Sequence, residues 1–175
     1  MSFLLLVTGP PGAGKSTVAR ALADKFDPSV LVEGDAFFAF LARGAIEPWL
    51  PASRRQNEIV VRAAAAATGR FASGGYATVY DGVLGPWFLP DFAAQAGVGE
   101  LHYVILLPQA ERCVRQVATR AGHGFADEAA TRQMHGEFAR SAIDQRHVIT
   151  DPGTTPEDVT AEVLARFRAG SLRYR

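Results

Sequence analysis

Cysteine is nearly missing from this chain. Cys113 is the only one in 175 residues, so an intrachain disulfide is excluded and a reducing compartment is expected. An excess charge of one sign is missing too. Eighteen Lys and Arg balance eighteen Asp and Glu, which gives no sign of a nucleic-acid or membrane partner. Long hydrophobic runs are also absent: the opening "MSFLLLV" has five consecutive apolar residues and no basic leader. That is short for a signal peptide or a membrane span. No repeat occurs, and His135 and His147 share no metal-ligand spacing with any partner, so no zinc is expected. What remains is 48% hydrophobic content, enough for one well-packed domain over residues 1–175 and too little chain for two. The expectation is a soluble, cytoplasmic, single-domain protein.

Apolar runs of strand length stand at 3–7, 30–32, 77–80, 101–107 and 147–150. They are near-continuous rather than alternating, as in strands buried on both faces of a parallel sheet. Helical spacing falls between them, at 15–26, 36–43, from 54 onward, and at 110–120, 128–140 and 156–168. "SRRQ" from Ser53 to Gln56 has the form of a capping box. Thr155, Pro156, Glu157 and Asp158 form a helix start. The five alanines in "RAAAAATGR" let a helix lie close to a sheet. This alternation predicts a doubly wound α/β domain with its ligands at the carboxyl ends of the strands.

The first strand runs into "GPPGAGKS", which fits G-x-x-x-x-G-K-S/T at Gly9, Gly14, Lys15 and Ser16. Glycines let backbone N–H groups converge on an anion, and the helix that follows adds partial positive charge. Gly9, Pro10, Pro11, Gly12, Ala13, Gly14, Lys15, Ser16 and Thr17 are therefore expected to cradle ATP. Lys15 would reach the β- and γ-phosphates and Ser16 would ligate Mg²⁺.

A phosphotransferase also needs carboxylates, for the metal and for the acceptor hydroxyl. Asp35 follows the second strand and is the candidate general base, or else a cap for the helix over 36–43. Asp81 follows the third strand and is the candidate for magnesium or its waters, or else a turn acid before Gly82. Glu33 reads as a solvated or paired acid, and Asp151 before Pro152 as a turn residue. The fourth strand ends in "LLPQ" with no acid, which disfavours a switch-type ATPase.

Arg112, Arg115 and Arg120 lie on one predicted helix that runs into a loop with Gly122 and Gly124. A lid over about 120–135 would bring Arg120 onto the transferring phosphoryl group, with His123 beside it. The alternative is an ordinary amphipathic helix with three surface arginines. The segment over about 36–60 brings Phe37, Phe38, Phe40 and Trp49 together with Arg43, Arg54, Arg55 and Asn57, and Trp87 and Phe88 add further aromatic surface. Aromatic walls with a few polar groups describe a small-molecule pocket. The candidate acceptor-binding residues are Asp35, Phe38, Arg43, Trp49, Arg54, Asn57 and Asp81.

With the phosphate loop, "GD" at Gly34 and Asp35, "RAGH" at Arg120 to His123 and "EF" at Glu137 and Phe138 in view, the chain resembles the small bacterial P-loop kinases. That group includes chloramphenicol phosphotransferase, gluconate kinase and the kinase-like zeta toxins. The resemblance implies a five-stranded parallel sheet in order 2-3-1-4-5. It places Asp35 where several of these kinases carry the acid that faces the acceptor, and it likens Arg120 to His123 to the gluconate kinase lid. Transfer of the γ-phosphoryl of ATP to a hydroxyl of a small molecule is the leading expectation. A nucleoside monophosphate kinase, with Arg43, Arg54 and Arg55 on the acceptor's phosphate, is a second. A regulatory nucleotide-binding module with little catalysis is a third.

Overall fold

The five apolar runs become the strands of one all-parallel sheet. The computed structural model describes residues 2–119, 127–150 and 155–174. The strands are β1 (Phe3–Thr8), β2 (Ser29–Glu33), β3 (Ala77–Asp81), β4 (Leu101–Leu106) and β5 (Val148–Ile149), in spatial order β2-β3-β1-β4-β5. This is the order that the resemblance implies. β5 is shorter than the apolar run because His147 belongs to a 3₁₀ turn, with its Nδ1 2.8 Å from the Tyr103 carbonyl oxygen.

Alternate residues of β1 feed two cores. Leu5 and Val7 pack with side chains of α1 (Lys15–Ala23), α5 (Ala110–Thr119) and α7 (Pro156–Arg168). Leu4 and Leu6 pack with α3 (Arg54–Ser73), α4 (Leu89–Ala96) and α6 (Glu128–Arg140) on the other face. Both faces are covered, which is why the strands read as unbroken apolar runs. The alanine run does what its small side chains allow: Ala64 and Ala65 of α3 are buried against the sheet. Thr155 and Asp158 complete a reciprocal capping box at the start of α7.

Three local expectations are corrected. α1 ends at Ala23 rather than near 26, because Asp24 and Lys25 turn the chain toward Pro28, where a helix cannot continue. The helix expected over 36–43 shrinks to α2 (Asp35–Phe38). Beyond it, residues 39–50 run back beside α3, where the Gln56 side-chain amide accepts from the Ile46 N–H at 2.8 Å and donates to its carbonyl at 2.7 Å. Gln56 is therefore unavailable for the capping box, and the Ser53 hydroxyl donates instead to the Pro48 and Leu50 carbonyls. α4 is an additional helix, held by the buried Leu89, Phe92 and Ala96. No described helix is long and apolar enough to cross a membrane.

Candidate active site

The loop between β1 and α1 has the shape of an anion cradle. Gly12 has φ 77° and lies so close to α5 that a Cβ there would strike the Cys113 carbonyl. Gly14 has φ 87° with open space beside it and precedes α1 without any side-chain cap. The first N–H groups of the helix are thus left for an anion. Lys15 is buried and folds back on its own loop, its Nζ donating to the Pro10 carbonyl at 3.0 Å. The expected phosphate ligands from Gly9 to Thr17 therefore sit together at the carboxyl end of the sheet.

Asp81 ends β3, in register with Val7 of β1 and Glu33 of β2. Its carboxylate is buried near the Ser16 side chain and leaves Oδ1 with no hydrogen-bond partner among the described residues. Burial raises its pKa above the ordinary carboxylate value, Lys15 and Ser16 pull it back, and Asp35 and Glu33 push it up again. A buried carboxylate oxygen without a donor, beside a hydroxyl and a lysine, suits a divalent cation on a phosphate. Ser16 and Asp81 thus fit the metal role read from sequence.

Asp35 is the first residue of α2 and not its cap, a position held by Gly34 without a side-chain bond. Its exposed carboxylate makes no hydrogen bond or ion pair among the described residues, and its charge acts on both Tyr80 and Asp81. Tyr80 was not anticipated from sequence. Its phenol fills the room left by Gly34 and Gly82, and burial, then Asp35 and Asp81, hold it neutral by pushing its pKa far above the ordinary value. The signal was available in "VYDG", where a strand ends in two polar residues. Glu33 proves to be paired, with Arg20 at 3.0 Å.

The acceptor candidates are less convergent. Phe38 and Trp49 are half-buried, and the Trp49 carbonyl accepts from Gln133 of α6 at 3.4 Å. Asn57 is buried and donates to the Pro48 carbonyl at 2.7 Å and to Ser53 Oγ at 3.0 Å, so it clamps the segment before α3. Arg54 faces solvent and pairs with Glu58 at 3.2 Å, while Arg43 and Arg55 are exposed. On α5, Arg112 is half-buried and Arg115 exposed. Arg120, His123 and Asp151 lie outside the described residues, as does most of the loop between α5 and α6.

Known proteins share this architecture. A sugar kinase from Janibacter sp. HTCC2649 has a similar structure, with TM-score 0.74 and 21% identity over 100% of both chains. The tunicamycin resistance protein of Deinococcus radiodurans gives 0.73 and 14% identity, over 95% of this chain and 96% of that one. A gluconokinase from Sinorhizobium meliloti 1021 gives 0.67 and 19%, over 97% and 94%. No curated protein matches the sequence significantly. The model of one family, described as an AAA domain, matches residues 4–171. With its phosphate loop, its 2-3-1-4-5 sheet and this match, the chain belongs to the AAA domain family (AAA_33), in the fold of the small P-loop kinases.

Proposed function

We propose that the protein is an ATP-dependent phosphotransferase that moves the γ-phosphoryl group to a hydroxyl of a small molecule. The observation that carries this reading is the pair Asp35 and Asp81. They follow neighbouring strands beside the phosphate loop, one exposed with its carboxylate uncommitted, the other buried with an unpartnered oxygen. Phosphoryl transfer asks a protein for position and charge more than for covalent help.

Lys15 and the loop N–H groups hold the β- and γ-phosphates. Ser16 and Asp81 would hold Mg²⁺, which when bound neutralises charge on those phosphates. The acceptor oxygen forms its bond to the γ-phosphorus as the bond to the ADP oxygen breaks, and Asp35 takes the hydroxyl proton. Arg120 is assigned to the transferring group from its place in the sequence. The likeness to proteins named as a sugar kinase and a gluconokinase supports a hydroxyl as acceptor. A reducing, ATP-containing compartment, the cytoplasm, suits the enzyme and its unpaired Cys113.

The test is ATP consumption with and without a panel of sugars, nucleosides, nucleoside monophosphates and aminoglycosides. Stimulation by one acceptor class is the expected outcome. A slow rate that no acceptor changes would favour a regulatory nucleotide-binding module instead.

A further inference from the structure

A cleft about 380 Å³ in volume opens beside the loop that follows Asp81 and is lined by Trp87, Glu137, Arg140 and Ser141. Trp87 is 47% exposed, unusual for the largest apolar side chain. It is nevertheless held in place. Its indole lies over Gly85, where a Cβ would strike the ring, and it packs against Phe138 at 5.6 Å and Phe88 at 6.3 Å between ring centroids. An indole fixed from behind with an open surface is a platform for a flat, partly apolar face.

The polar groups around the platform are mixed in kind. Arg140 makes no ion pair or hydrogen bond among the described residues, and its guanidinium folds over Gly136, one turn back along α6. Glu137 accepts from Gln133 at 3.1 Å and keeps further lone pairs. Ser141 donates to the Glu137 carbonyl at 2.6 Å, which leaves its oxygen as an acceptor. The cleft thus offers a cationic donor, an anionic acceptor and a hydroxyl acceptor around one aromatic face. An anionic ligand would meet Glu137 and a cationic one Arg140, so neither charge sign is matched. A ring bearing several hydroxyls, each both donor and acceptor, satisfies all three groups while its C–H face rests on the indole.

We propose that this cleft binds the part of the acceptor that does not react, and that this part is a neutral, polyhydroxylated ring such as a sugar or a cyclitol. The inference rests on the phosphotransferase reading for the word acceptor; the binding claim stands apart from it. Trp87 carries the stacking, while Arg140 and Glu137 select for hydroxyl pairs.

The chain has two tryptophans, so the ¹⁵N-labelled protein gives two indole N–H resonances, and the one missing from Trp87→Phe belongs to Trp87. D-glucose, D-ribose and myo-inositol, titrated to millimolar concentration without ATP, are the probes. At least one is expected to shift the Trp87 resonance saturably. Arg140→Ala and Glu137→Gln should each weaken that binding about tenfold or more, as loss of a charge-assisted hydrogen bond does. No saturable shift from any probe, or a shift unchanged in both variants, overturns the proposal. A shift produced only by a nucleoside monophosphate overturns it as well. ATP consumption separates the two readings. A ring that binds at Trp87 while no compound of the acceptor panel changes ATP consumption counts against the phosphotransferase and leaves the binding cleft standing. An acceptor that is phosphorylated without disturbing Trp87 counts against the cleft alone.

Discussion

Lys15 and Asp81 bury opposite charges at the mouth of the phosphate loop, and neither is placed for the comfort of the ligand-free protein. Lys15 occupies itself with a carbonyl of its own loop, a partner that a triphosphate replaces with far stronger charge. Lys15→Met keeps the aliphatic stem and removes the ammonium. Mg-ATP affinity should fall about a hundredfold, the scale for removing one partner of a desolvated charge contact, with the circular dichroism spectrum unchanged; calorimetry reads the affinity. Asp81 is costlier to the fold. Its carboxyl is held above the ordinary value of 3.8, chiefly by burial, so the native state binds the proton more tightly than the unfolded chain. Stability therefore falls as pH rises through the interval between those two values and stays lower above it. Asp81→Asn removes that charge, so the ligand-free variant should melt at a higher temperature than the wild type at neutral pH. The gap should close in acid below the ordinary carboxylate range. Melts at the two pH values check the sign, and the same variant should lose magnesium dependence in nucleotide binding.

Among the elements, the segment between α2 and α3 has little regular structure and is held by side chains. Gln56 grips both backbone groups of Ile46, Asn57 grips Pro48, and Gln133 of α6 reaches Trp49. Gln56→Ala should therefore release the segment and raise the acceptor KM about five- to tenfold, from the loss of about one net hydrogen bond. Little change is expected in kcat or Mg-ATP affinity, and steady-state kinetics would show the split. This region was also the hardest to read in the sequence. "AFFAFLAR" carries helical spacing, but α2 ends at Phe38, and the chain beyond it is held at Ile46 and Pro48 by Gln56 and Asn57, partners that a pattern of single residues does not reveal. "LPDFAAQA" hid α4 for a related reason: Pro90 and Asp91 look like turn residues, and only the burial of Phe92 shows them opening a helix. The strands and α7 were legible because their causes are local, two-sided burial for the first and a capping box for the second.

At the scale of the whole molecule, the parallel sheet gathers the phosphate loop, Asp35, Tyr80 and Asp81 at one end, because β1, β2 and β3 are neighbours that finish in register. The phosphate loop and the two acids could be read from motif and strand order, whereas Tyr80 could not. Of the proposed acceptor side, Trp49, Asn57 and Trp87 stood out in the sequence, while Arg140 and Ser141 carry no motif. Only the fold brings Arg140 and Ser141 beside Trp87. In the proposed reaction, Asp35 links nucleotide binding to chemistry. The most direct test of phosphotransfer is to follow the labelled γ-phosphoryl of ATP onto an acceptor, for the wild type and for Asp35→Asn, alongside Mg-ATP affinity by calorimetry. The expected result is a phosphorylated small molecule from the wild type, with transfer by the variant lowered about 10²- to 10⁴-fold and its nucleotide affinity nearly unchanged. Label found only in inorganic phosphate, or equal transfer by both proteins, would contradict the account.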